Sequence, residues 1–163
     1  MDVTQTQAAR IPAENLRVDR AAFVQLWSAA ERHQGSPACD PFTAGVLDTC
    51  RWLGGATVRP QSGPWFPAPA PLTPGRGRAL PELIDAEHRV AAGSFLGAPD
   101  RMAPAERERI AGVLATFDWA WARTGAPPLL GGHRSHQYAP ERSATAASIP
   151  TEWAWSDATH CAI

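Results

Sequence analysis

Glu87 is the residue whose type and position most invite chemistry. At about 100° per residue, it falls in the middle of the apolar stripe of a helix expected over residues 78–96. Leu83, Ile84, Val90 and Ala91 flank it. A buried ionised carboxylate needs a partner, or it takes up a proton. The candidate partners are Arg51, Arg59, Arg123 and an indole N–H. Two readings follow. In one, Glu87 and Arg59 face a pocket roofed by Trp65, and the carboxylate is a pocket acid or a ligand for a cationic group. In the other, Glu87 is a core carboxylate that pins a Pro-rich loop through Arg59. The structural reading is the preferred one.

Trp119 points away from the stripe formed by Ile110, Val113, Leu114, Phe117 and Trp121 on the last helix. Either another element covers it, the Trp65-Phe66 loop being the obvious one, or it stands in solvent as an interaction anchor. Asp85 and His88 sit at i, i+3, a spacing that suits two metal ligands. The matching carboxylate and Glu-x-x-His motifs of a di-iron bundle are absent, and Glu31-Arg32-His33 has the wrong spacing. No metal site is expected. Cys50 with His33 would suggest a thiolate nucleophile, but a buried, inert thiol is the better reading. Gly75-Arg76-Gly77-Arg78 suits a phosphate near a helix start, and equally a solvated entry turn. His133-x-x-His136 reads as a chance pair in a polar tail. No Walker loop, G-x-G-x-x-G or G-x-S-x-G occurs, and no cofactor is expected.

Four helices must position these residues. The first is expected over 20–34, between Asp19 as N-cap and Gly35 as stop. Its stripe is Phe23, Leu26, Trp27 and Ala30. The second follows Asp40-Pro41, an N-cap with proline at the first helical position, and ends at Gly54-Gly55. Phe42, Val46, Thr49, Cys50 and Leu53 share its inner face, and Arg51 projects opposite. The third carries Leu80, Leu83, Ile84, Val90, Ala91 and Phe95 inward. The fourth is expected over 104–124.

Between the second and third helices lie Pro60, Pro64, Pro67, Pro69, Pro71 and Pro74. No ordinary helix or central strand survives that density. A solvated linker rarely carries two adjacent large aromatics such as Trp65 and Phe66, so the loop is expected to be strapped onto the helices, partly as polyproline II. The expectation is an all-α fold: a compact four-helix domain over 18–126, with a packed Pro-rich loop, a flexible segment over 1–17 and a flexible tail over 127–163. The tail carries Trp153 and Trp155 in Glu152-Trp153-Ala154-Trp155, an echo of Asp118-Trp119-Ala120-Trp121 too short to define a repeat. Those tryptophans call for a partner or for docking on the chain itself.

Composition narrows the classes. The chain has 163 residues with 15 basic and 16 acidic side chains, and every basic residue is arginine. Near-neutral charge disfavours a nucleic-acid binder, whose affinity comes largely from phosphate neutralisation. No run of about 18 apolar residues suggests a membrane span. The first residues lack the basic and apolar regions of a secretory signal. Three cysteines fit no zinc framework. A cytoplasmic protein is expected.

Cys50-Arg51-Trp52-Leu53, Thr57-Val58-Arg59-Pro60 and Gly63-Pro64-Trp65 resemble a family of small uncharacterised proteins from high-GC Gram-positive bacteria. Glu82-Leu83-Ile84, Ala86-Glu87, Ala115-Thr116 and Trp119-Ala120-Trp121 are similar too. The likeness spans roughly residues 20–130. It implies one folded unit that includes the Pro-rich loop, and it carries no catalytic residue. The functional expectation is a non-catalytic module that presents aromatic residues and the Pro-rich loop to a protein partner. The alternative is a small-ligand or enzymatic site built on Glu87, Arg59 and Trp65, and a DNA-binding regulator ranks last.

Overall fold

The computed structural model describes residues 3–34, 40–59, 63–75, 77–97 and 102–130. It is mostly helical, as expected. In chain order the elements are α1 (Gln5–Arg10), a 3-10 turn (Ala13–Asn15), α2 (Arg20–Gln34), α3 (Pro41–Leu53), β1 (Thr57–Val58), β2 (Phe66–Pro67), α4 (Pro81–Gly97) and α5 (Pro104–Ala120).

The helix starts follow the local chemistry. Asp19 caps α2: its Oδ1 accepts the Ala22 N–H at 3.0 Å. Asp40 accepts from Thr43 N at 2.7 Å, with Pro41 beginning α3. Both caps satisfy backbone donors that have no partner inside the helix. Phe23, Leu26, Trp27 and Ala30 are buried, which is the stripe the spacing demands.

At the centre, α3 packs on α5, with α2 laid against α3 and α4 against α5. The α3–α5 contact is backbone to backbone. A β-carbon on Gly45 would overlap the Arg109 carbonyl, and one on Gly112 would overlap that of Phe42. The two contacts are reciprocal. Phe42 and Val46 meet Gly112, while Arg109 and Val113 meet Gly45, and the corresponding positions are 67 residues apart. The same offset aligns Ala44-Gly45-Val46-Leu47-x-Thr49-x-x-Trp52 with Ala111-Gly112-Val113-Leu114-x-Thr116-x-x-Trp119. In each copy the threonine hydroxyl donates back to the glycine carbonyl, at 2.9 Å for Thr49 and 2.8 Å for Thr116. The core is therefore two α-helical hairpins, α2–α3 and α4–α5, related by an approximate two-fold at the glycine crossing. This nine-residue match is longer than the tetrapeptide echo between Trp119 and Trp153.

Four expectations need correction. Residues 1–17 were expected to be a flexible segment, but residues 5–16 form α1 and the 3-10 turn and bury Ile11, Asn15 and Leu16. Asn15 Nδ2 donates to Leu53 O at 2.9 Å, and Arg17 N donates to Ala120 O at 2.9 Å. The segment thus supplies donors to the last carbonyls of both central helices, which lack partners of their own. Second, the Pro-rich loop contains a short β-ribbon, with Thr57 opposite Pro67 and Val58 opposite Phe66. Both strands of a ribbon are edges, where proline's missing N–H is tolerated.

Third, α4 begins at Pro81 and α5 ends at Ala120, later and earlier than the spacing suggested. Fourth, α4 buries a narrower stripe than expected: Ile84, Glu87 and Ala91 are inside, while Leu80 and Val90 are exposed. Lying at the edge of the bundle, it has one main neighbour. In contrast α5 has neighbours on several sides and is buried through 110–117, as a helix apolar all round should be. Pro128 is buried, and Leu129 and Leu130 pack on the core. The rest of the expected tail, residues 131–163, lies outside the described residues.

Overpacking at the glycine crossing should cost more than propensity can return. Gly45→Ala and Gly112→Ala are each expected to lower the unfolding free energy by about 2–3 kcal/mol or more, because the obstacle is backbone. Gly93→Ala, in α4 with open space around it, should gain about 0.5–1 kcal/mol. Urea denaturation of the three variants checks both signs.

Candidate functional site

The Pro-rich segment does not hang free. Ala68 N donates to Ala56 O at 2.8 Å, closing the base of the ribbon. Ala68, Ala70 and Pro71 are buried. The Pro71 carbonyl accepts from Arg109 Nη2 at 2.8 Å, and the same nitrogen reaches Asp48 Oδ2 at 2.7 Å. Beyond the strap, Trp52 Nε1 donates to Gly77 O at 2.9 Å.

The central anchor is Glu87, the one acidic side chain fully buried among the described residues, at 0 % exposure. Its Oε1 accepts two consecutive backbone donors, Leu72 N at 2.6 Å and Thr73 N at 2.8 Å. Hydrogen bonds to a carboxylate are charge-assisted and stronger than neutral ones. Proline supplies no N–H, so Leu72 and Thr73 are the amides the strap can offer between Pro71 and Pro74. The burial of Glu87 was legible from helical spacing. Its use of peptide N–H groups rather than Arg59 was not, because backbone donors leave no mark on residue type.

Arg59 lies exposed on the ribbon and donates from Nε to Gly63 O at 3.2 Å. Trp65 is 64 % exposed and Phe66 42 %. The structure therefore does not bring Glu87, Arg59 and Trp65 together into a pocket. A cleft of about 270 Å³ lies instead between the ribbon, the strap and the central helices. Val58, Phe66, Pro69 and Pro74 supply apolar wall, and Arg51 and Arg109 line it with Asp48.

Arg51 does not project away from the core. It grips Glu31 with two hydrogen bonds, Nε to Oε1 at 2.9 Å and Nη2 to Oε2 at 2.7 Å, and reaches Gln34 Oε1 at 2.8 Å. Trp27 Nε1 donates to the same carboxylate at 3.1 Å. The bridge bolts α2 to α3. At the corresponding place in the second hairpin, His88 Nε2 meets Asp118 Oδ1 at 2.8 Å and joins α4 to α5. Asp85 turns elsewhere and accepts from Trp121 Nε1 at 2.6 Å. Asp85 and His88 thus serve different partners, and no group of three or more metal-ligating side chains is assembled among the described residues.

Trp119 is 8 % exposed and belongs to the core cluster; α5 packs on both α3 and α4, so its second face is covered. Cys50 is fully buried, and His33 Nδ1 pairs with Ala29 O at 2.9 Å on its own helix. Among the described residues, no Cys–His pair forms. Burial pushes the Cys50 thiol well up, and the Glu31 carboxylate adds to the effect. Trp153, Trp155, His133, His136 and Arg76 lie outside the described residues. No family model, curated protein or solved structure matches the chain.

Glu87→Leu should strand two backbone N–H groups and cost about 3 kcal/mol or more, at roughly 1–3 kcal/mol for each lost partner. Glu87→Gln keeps an acceptor oxygen and should cost about 1 kcal/mol. Denaturation midpoints and cleavage rates within residues 63–75 check the order, and an unaltered cleavage rate in Glu87→Leu would count against the anchor. With Cys39 and Cys161 replaced by serine, Cys50 should resist thiol reagents at pH 8 until the protein unfolds. Rapid labelling in native buffer would contradict its burial.

Proposed function

We propose that the protein is a non-catalytic interaction module whose contact surface is the Trp65-Phe66 tip of the strapped ribbon. The observation that carries this reading is the exposure of two adjacent large aromatics, at 64 % and 42 %, on a segment whose base is held by Glu87 and Arg109. Tryptophan and phenylalanine are enriched where proteins meet. Holding them in one geometry before binding lowers the ordering cost of association. The cleft beside Phe66, at about 270 Å³, falls just below the usual range of about 300–1,000 Å³ for small-ligand sites. It suits a side chain or two of a peptide better than a cofactor.

Of the described strap prolines, Pro71 is buried with its carbonyl bound to Arg109, whereas Pro64, Pro67, Pro69 and Pro74 are exposed and add apolar surface beside the aromatic pair. A nucleic-acid role loses support. Arg107 stacks over Phe95 at 5.3 Å from the ring centre, and 15 basic side chains are balanced by 16 acidic ones. No helix among the described residues is long and apolar enough to cross a membrane.

The test is affinity capture from the native host with wild-type protein, a Trp65→Ser/Phe66→Ser double variant and a Leu96→Ser control. Loss of an anchor worth about 2 kcal/mol should weaken retention of the true partner about thirtyfold. The control should retain it. A small molecule co-purifying equally with all three would overturn the reading.

A further inference from the structure

The cleft beside Phe66 has a feature the exposed aromatics do not require. Among the described residues, Arg109 spends Nη2 on Asp48 and Pro71, and Arg51 spends Nε and Nη2 on Glu31 and Gln34. Each guanidinium has N–H groups beyond those bonds. An apolar wall beside such donors fits an occupant that is aromatic and acidic together.

This chain contains such a segment. Residues 143–159 carry Glu152 and Asp157 and no basic residue, and Trp153 and Trp155 lie between the two acids. We infer that Glu152-Trp153-Ala154-Trp155-Ser156-Asp157 docks in the cleft of its own chain, tryptophan against Phe66 and the prolines, carboxylates toward Arg51 and Arg109. The reach is sufficient. The 21 residues from 131 to 151 span up to about 70 Å when extended, against a radius of gyration near 13 Å for a domain of about 100 residues. Tethering at this length sets an effective concentration of about millimolar, so even a weak site fills.

The body already holds a matching tetrapeptide in a comparable way. In Asp118-Trp119-Ala120-Trp121, the Arg17 guanidinium lies 4.4 Å from the Trp121 ring centre, and Trp119 is buried. Guanidinium stacking on indole is the contact expected between Arg109 or Arg51 and the docked tryptophans. Docking would cover the aromatic tip, so a partner would compete with the chain's own segment. In that respect the inference rests on the interaction reading above.

The test compares amide and indole NMR spectra of the full chain with those of full-length Trp153→Ser/Trp155→Ser. Resonances of Val58, Trp65, Phe66 and Ala68 should shift, and those of α4 should not. A synthetic peptide of residues 150–157 added to the variant should move them back, with half-saturation near millimolar. Raising salt or using the Glu152→Gln/Asp157→Asn peptide should weaken it several-fold. Coincident spectra for the two proteins would overturn the inference, as would shifts that grow with protein concentration, which would mean docking between chains. If spectra coincide while Trp65→Ser/Phe66→Ser still loses its captured partner, the docking idea falls and the interaction surface stands.

Discussion

Everything in the described molecule hangs on the place where α3 and α5 touch through glycine. Helix axes usually stand about 8–10 Å apart because side chains intervene. Here Gly45 and Gly112 remove the side chain on both helices, and each backbone meets the other's carbonyl. The close approach makes both helices central. It explains why α5 is buried through 110–117 and why α3 buries eight of its residues, Trp52 among them. Thr49 and Thr116 satisfy their hydroxyls on the same glycine carbonyls, so buried polar groups at the crossing are not orphaned. The outer helices lie on this pair, α2 against α3 and α4 against α5, and the N-terminal segment caps both central helices at their C-terminal ends.

The approximate two-fold is broken where the strap attaches. In the first hairpin the residue before the bridging Glu31 is Ala30, fully buried and apolar. In the second the residue before the bridging His88 is Glu87, equally buried but charged. An alanine there needs nothing from its surroundings. A carboxylate needs donors, and the strap supplies them. The bridges differ as well. One joins an arginine to a glutamate through two hydrogen bonds, the other a histidine to an aspartate through one. The hairpins share a frame, and the second holds the strap through Glu87.

Much of this was written in local signals. Capping aspartates, proline at a first helical position and the apolar stripe of α2 each follow from neighbouring residues. So did the burial of Glu87, which needs only helical spacing. What failed needed tertiary context. Val90 and Leu80 have the right residue type for a core, but an edge helix with one main neighbour has no surface to set against them. Trp119 looked misplaced because a one-sided stripe was assumed for a helix covered on several sides. Asn15 is an ordinary polar residue until a helix end arrives 38 positions later in sequence. The Ala-Gly-Val-Leu-x-Thr-x-x-Trp repeat is different. It was visible in the residues, and a search for self-similarity rather than for conspicuous tryptophans finds it.

The strap explains why aromatic exposure at the ribbon tip can be sustained. A segment this rich in proline loses little conformational freedom on folding, so a few good hydrogen bonds suffice to order it. Glu87 and Arg109 provide them from opposite sides, one to amides and one to a carbonyl. Those bonds lie in the body of the strap, some distance along the chain from Trp65 and Phe66. Substitutions at the tip therefore leave the anchors intact, and stability and surface chemistry are set by different residues. Side chains at the tip can vary without disturbing the bonds that hold the strap.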